Sequence, residues 1–387
     1  MATDARQRAL DKVVQLTGQG LDLVSLWREC TEPIARAIPH YWAPCWFTLD
    51  PATLLITSHF HEGVPELPPE WLEAEYFVDD VHQLTDVARS PVGLSTLHEV
   101  TMGDPSGSPR WRANVQLGGD QEMIAALRTR SGDVWGAVSL YREPGQPMFD
   151  DGDKAFLHAV VPHLAVGARR ALLLGEALDP AGPDPPGLVV LDARLTVESA
   201  TPGVDRWLAD LPDDDRQTGR VPPAVRAVAA RALDTAGSHR TPGEIPMARV
   251  LGRSRTWLVL HGAPLVSPVA GRVAVIIEPA QPARISALLM SVYGLTDREK
   301  DVTRLVLAGH STAEIADRLG ISPHTVQQHF KSIFDKTGVR SRRDLTGKIV
   351  FAHYEPRIRD NEQRTSHDRP LRGEPVFMRG CLSADQT

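Results

Sequence analysis

A chain of 387 residues is too long for one ordinary hydrophobic core, so two to four domains are expected. At 42% hydrophobic and 24% charged residues, the composition is that of a soluble globular protein. No basic stretch leads into an apolar run after Met1, and the longest apolar candidate, Trp257–Pro279, is broken by His261, Pro264, Pro268 and Arg272, so neither secretion nor a membrane span is expected.

Net charge is −7, but it divides unevenly: residues 285–350 hold ten Lys/Arg against seven Asp/Glu, and residues 1–284 carry −10. A basic segment behind an acidic body suits a nucleic-acid contact confined to one end. Cys30, Cys45 and Cys381 are odd in number and far apart, which predicts free thiols and a cytoplasmic location.

In chain order, Leu21, Val24, Leu26, Trp27 and Ile34 recur at helical spacing. "CWFTLD" and "LLITSHFH" read as strands around a "DPAT" turn, and "EMIAALRTR" and "VWGAVSLYRE" as a hairpin joined through "SGD". A helix over about residues 150–177 places Phe156, Val160, Leu164 and Ala168 on one stripe. Trp42, Trp46, Trp71, Trp111 and Trp135 fit core packing, or else an aromatic-lined pocket for a small-molecule ligand. His59 and His61 share one strand face, but no third ligand stands at useful spacing, so no metal site is expected.

"LDPAGPDPPG", residues 178–187, has four prolines in ten residues and reads as a linker, and "EPAQPAR", Glu278–Arg284, as a weaker break. Between them, "GLVVLDARLTVESA" reads as a tight hairpin, "PGVDRWLADL" as a short helix, residues 222–236 as another helix, and "TWLVLHGAPLV" and "RVAVIIEPA" as closing strands. This order resembles the PAS fold, and "GAVSLYREPGQPMFDDGDKAFLHAVVPHLA" resembles the end of a GAF domain.

Beyond residue 294 the signals are caps. Thr296 with Glu299 and Ser311 with Glu314 form S/T-x-x-E boxes, Ser322 precedes Pro323, and Ser341 precedes Asp344. Gly309, Gly320 and Gly338 mark the stops, giving helices at about 297–308, 312–319, 323–337 and 342–352. The second and third are joined by only Gly320-Ile321-Ser322, the spacing of a helix–turn–helix. Val302, Leu305, Val306, Ile315, Ala316, Leu319, Val326, Phe330, Ile333 and Phe334 are the expected core, while His324, Gln327, Gln328, Lys331 and Asp335 share the opposite face of the third helix.

"LTDREKDVTRLVLAGHSTAEIADRLGISPHTVQQHFKSIFDKTGVRSRRDL" resembles the DNA-binding domain of LuxR/FixJ-type bacterial transcriptional regulators. Gln327 stands where that family most often has lysine, and Thr337 where it packs leucine. Sigma-factor region 4 shares parts of the pattern, but His329 and the fourth helix count against it. The resemblance implies base contacts from Gln327, Gln328 and Lys331, and dimerisation through Leu345 and Ile349. The chemistry of a helix N-terminus and of cations places Ser322, Thr325, Lys336, Arg340, Arg342 and Arg343 at the DNA backbone.

The fold class expected is therefore multidomain α+β: two antiparallel-sheet sensory domains, GAF-like then PAS-like, followed by an all-α four-helix LuxR-type domain. Boundaries are 1–177, a linker at 178–187, 188–280, a linker helix at 281–294, 295–352, and a disordered tail at 353–387. The expected partners are double-stranded DNA and a second copy of the chain, with RNA polymerase and an unknown small-molecule ligand as further candidates. No nucleophile–base arrangement, P-loop or dinucleotide motif occurs, so neither an enzyme nor a cofactor is expected. A protein-interaction adaptor acting on polymerase or another regulator is the alternative function.

Overall fold

The computed structural model describes residues 2–62, 75–78, 80–172, 186–213, 221–237, 245–266, 271–280 and 288–351. The expected tail at 353–387 and most of the proline-rich linker lie outside the described residues. Among the described residues, ten strands form two sheets. The first holds β1 (Cys45–Leu49), β2 (Ile56–Phe60), β3 (Leu94–Thr96), β4 (Gln121–Arg128) and β5 (Val134–Arg142), in the order β2-β1-β5-β4-β3. The second holds β6 (Gly187–Leu191), β7 (Val197–Ala200), β8 (Met247–Leu251), β9 (Trp257–Pro264) and β10 (Val273–Pro279), in the order β7-β6-β10-β9-β8. Every pairing is antiparallel, and counted from its own first strand each sheet has one order: second, first, fifth, fourth, third. Two sequence resemblances thus fall on one strand topology. Glu278 and Pro279, expected in a break, instead end β10.

The first sheet is covered on both faces. On one side lie α1 (Ala2–Gly18), α2 (Leu23–Ala37) and α6 (Asp151–Ala171), whose Phe156, Val160, Leu164 and Ala168 are buried as the spacing predicts. Trp27 of α2 stacks on Trp46 of β1 at 4.6 Å between ring centroids and 5° between planes. β5 carries one extra residue opposite Leu127, and this bulge lets Trp135 join Val138 and Leu140 in the same core. α1 was not expected: its apolar stripe, Ala9, Val13 and Leu16, is short and its mean hydropathy low.

The opposite face is covered by α3 (Leu84–Arg89), α4 (Leu97–Val100) and α5 (Pro109–Gln116). There the Arg110 guanidinium, 5% exposed, donates to Glu122 at 2.8 Å and Glu75 at 2.9 Å, while the Tyr141 hydroxyl donates to Glu122 at 3.0 Å. Burial pushes the Glu75 carboxyl up against the opposing pull of Arg110. Trp42, Trp46 and Trp135 are core residues, and Trp111 donates its indole N–H to Asp120 at 2.9 Å, so the tryptophans within the described residues serve packing and structure. The second sheet buries Val189, Leu191, Val250, Leu258, Leu260, Val275 and Ile277 against α7 (Val204–Asp210) and α8 (Pro223–Gly237).

The two sheet units are joined by a buried ion pair. Asp50, in the turn after β1, accepts from Arg249 of β8 through Nε at 3.0 Å, Nη2 at 2.6 Å and the backbone N–H at 2.8 Å. Asp50 is 1% exposed and Arg249 7%. Trp257, Val259 and Ala280 of the second unit also enter the first unit's core. The connecting residues 288–292 are helical, with two buried faces. Leu288, Leu289 and Val292 pack into the first unit's core, and Met290 packs into the C-terminal core.

Arg249→Ala leaves Asp50 buried without its cation and should lower unfolding stability by about 3–5 kcal/mol. The double variant Asp50→Asn/Arg249→Met should lose much less. Chemical denaturation of the wild type and both variants checks both statements.

Candidate nucleic-acid interface

The C-terminal unit consists of α9 (Asp297–Leu307), α10 (Thr312–Leu319), α11 (Pro323–Thr337) and α12 (Arg342–Thr346), the last running into a wider turn at Gly347–Phe351. Local chemistry explains the boundaries. Thr296 and Ser311 each accept from the backbone N–H of the glutamate three residues on, and each glutamate accepts from the cap residue's own N–H. Gly320 and Gly338 end α10 and α11 with φ of 61° and 68°, a region open to glycine at little cost.

Met290, Leu295, Val302, Val306, Ile315, Ala316, Val326, Phe330 and Ile333 form the buried centre, with Leu305, Leu319 and Phe334 packed at its edge. One face of α11 is therefore fixed inward, and Gln327, Gln328, Lys331, His324 and Asp335 are exposed on the other. His329 is half-buried, away from that surface.

A single carboxylate ties α11 to α9. Glu299, 4% exposed, accepts from the Thr296 N–H at 2.7 Å, the Ser332 hydroxyl at 2.6 Å and the Lys336 ammonium at 2.6 Å. Burial alone would raise its pKa, but the Lys336, Ser332 and Thr296 donors together hold it below the usual glutamate value. Sequence reasoning recognised Glu299 only as half of a capping box. Its partners Ser332 and Lys336 lie 33 and 37 residues further along the chain, beyond the reach of a local pattern.

The expected backbone contacts divide. Arg340 and Arg343 are exposed. The Lys336 ammonium is paired with Glu299 at 2.6 Å while its side chain stays 34% exposed. The Arg342 guanidinium lies 5.3 Å over the Phe330 ring and donates to the His310 carbonyl. Ser322 accepts from the Thr325 N–H at 3.0 Å, and the two hydroxyls lie 2.9 Å apart, so both serve the cap of α11. Leu345 and Ile349, expected as dimer contacts, are each 0% exposed within the unit's own core. Thr337, where the family packs leucine, is 2% exposed and donates its hydroxyl to the Ile333 carbonyl at 2.7 Å.

Residues 293–348 match the family model described as "Bacterial regulatory proteins, luxR family". The C-terminal unit is a LuxR-family domain. Over 56 residues it is 49% identical to an HTH-type transcriptional regulator of Mycobacterium bovis, a match taking in 14% of this chain and 6% of that protein. Over 51 residues it is 41% identical to the transcriptional regulatory protein MctR of Rhizobium johnstonii, covering 13% of this chain and 24% of that one. The chain thus spans only a small part of the length of the relatives its LuxR-family domain matches.

Among solved structures, SdiA in complex with octanoyl-rac-glycerol aligns at 15% identity and a TM-score of 0.32, over 89% of this chain and 92% of that one. A phycoerythrobilin-bound GAF domain from a cyanobacterial phytochrome aligns at 15% identity and 0.28, over 43% of this chain and 96% of that one. At those scores the likeness carries no conclusion about the sheet units.

Elsewhere, the rings of His59 and His61 stack at 5.4 Å, and the backbone N–H of His59 donates to Asp213 of the second unit at 2.7 Å. Among the described residues, no group of three His, Cys, Asp or Glu is placed to hold a metal ion, and no helix is long and apolar enough to cross a membrane.

Glu299→Gln should destabilise the LuxR-family domain by about 1–3 kcal/mol at pH 7. A depressed folded pKa contributes stability above the unfolded value of about 4.3, and that stability is lost as pH falls through the folded value. The gap between wild type and variant should accordingly be full at neutral pH and narrow as pH falls below that unfolded value, as read by thermal melts across pH.

Proposed function

We propose that the chain is a sequence-specific DNA-binding transcriptional regulator, acting as a dimer and modulated by a signal at its N-terminal sheet units. The observation that carries this reading is the outward face of α11: Gln327, Gln328 and Lys331 are exposed while Val326, Phe330 and Ile333 are buried behind them. A helix of this width enters the major groove of B-form DNA. In this reading Gln327 and Gln328 pair with adenine N6 and N7, and Lys331 donates to guanine O6 and N7. Ser322 and Thr325 bring the amide end of the helix to a phosphate, and Arg340 and Arg343 supply further charge to the backbone.

Signal transfer is assigned to the connecting helix at residues 288–292, whose side chains sit in both the first core and the C-terminal core. A ligand or partner that favours one packing of the sheet units would bias the position of the LuxR-family domain and hence DNA affinity. Lys300, 9% exposed, adds a second link: its ammonium lies 3.9 Å from Asp133 in the β4–β5 turn.

The test is selection of the full chain on a randomised duplex pool, followed by titration of the selected duplex at several salt concentrations. Lys331→Ala should weaken specific binding by about 1–3 kcal/mol. Gln327→Ala should relax preference at one base pair. Arg343→Ala should weaken all sequences alike and lower the salt slope by about 1. Absence of any salt-sensitive retention would instead favour an adaptor that contacts other proteins.

A further inference from the structure

A cavity of about 100 Å³ opens at the seam between the two sheet units. α3 of the first unit lines it with Asp86 and Arg89, and α8 of the second with Arg231 and Asp234. Each unit therefore supplies one carboxylate and one guanidinium. Glu75 lines it too, but its carboxylate is already engaged by Arg110 at 2.9 Å and the Thr85 N–H at 3.0 Å. The Tyr76 ring packs against the cores of both units. Its hydroxyl accepts the Ile56 N–H at 3.0 Å, and its own proton meets no acceptor among the described residues.

The lining charges are not fully offset by one another. Burial, and then the neighbouring Arg89, pull the Arg231 guanidinium below its ordinary pKa against the opposing pull of Tyr76, Asp234 and Asp86. The Asp86 carboxylate stays 3.6 Å from Arg89, beyond hydrogen-bond reach, and its side chain is 55% exposed. Two neighbouring guanidiniums suit the two oxygens of a carboxylate, and two acids suit an ammonium. Because two positive charges stand against two negative ones, a molecule carrying both groups and no net charge complements the lining. A simple anion or a simple cation answers only half of it. The volume limits that molecule to the size of a small amino acid.

We propose that this seam cavity binds a small zwitterionic amino acid, its carboxylate on Arg89 and Arg231 and its ammonium on Asp86 and Asp234. Contacts drawn from both units tie occupancy to their packing, so the bound molecule favours the arrangement of α3 against α8 described here. The binding step needs no DNA. Only its role as the signal for the LuxR-family domain rests on the regulator reading above.

Isothermal titration calorimetry of the full chain with glycine, L-alanine and L-serine, each alone, tests the site, with acetate and ethylammonium as single-charge controls. At least one amino acid should bind saturably and raise the melting temperature, with both controls about tenfold weaker or worse. Asp86→Asn and Arg89→Gln alter side chains that are 55% and 37% exposed, so both variants should melt like the wild type without ligand. Each should weaken amino-acid binding about tenfold. No saturable binding of any of the three, a control that binds as tightly, or variants that bind like the wild type would overturn the site and leave DNA binding in place. The amino acid that binds should also shift wild-type affinity for the selected duplex and leave that of Arg89→Gln unchanged. No shift, or the same shift in both, overturns the signal role. A wild-type chain that selects no duplex removes the signal role together with the regulator reading, while the calorimetry decides the site by itself.

Discussion

The LuxR-family domain depends on the buried carboxylate of Glu299. Apolar packing of Val326, Phe330 and Ile333 fixes which side of α11 faces inward, but packing alone permits the helix to slide or rotate by a fraction of a turn. Glu299 removes that freedom, because three donors from two helices converge on it within 2.7 Å. A charge this buried is costly unless fully paired, and here pairing and helix capping are satisfied by one group. The register it imposes places Gln327, Gln328 and Lys331 side by side on the outer surface. Lys336 is held in the same arrangement, which is why a cation on the third helix is structural while Lys331 stays free.

The link to the rest of the chain has the same character. Asp50 and Arg249 fix the two sheet units against one another, and the connecting helix at residues 288–292 divides its side chains between the first core and the C-terminal one. A rearrangement of the sheet units cannot leave that helix undisturbed, since Leu289 is fully buried on one side and Met290 nearly so on the other.

Legibility in the sequence followed the range of the forces involved. Helix ends set by local hydrogen bonds were readable: Thr296, Ser311 and Ser322 start helices where the cap residues stand, and Gly320 and Gly338 stop them. Alternating or fully apolar strands were readable from their own residue pattern. β3 and β8, at 3 and 5 residues, were missed because each is defined by its partner strand. The site divided likewise. Exposure of Gln327, Gln328 and Lys331 follows from helical period, but the roles of Lys336 and Arg342 depend on Glu299 and Phe330, at sequence separations that no local pattern encodes. Leu345 and Ile349 show the hazard of an apolar pair on a short helix, where the same spacing fits an interface or a core.

The central claim is that the outer face of α11 occupies the major groove. Guanine N7 opens onto that groove, so methylation of N7 by dimethyl sulfate in a duplex bound by the full chain reports the contact directly. Protection of guanines within the bound site, lost when Lys331 is replaced by alanine, is the predicted result. Guanine N7 atoms that remain as reactive as in free duplex, at concentrations where the chain is bound, would contradict it.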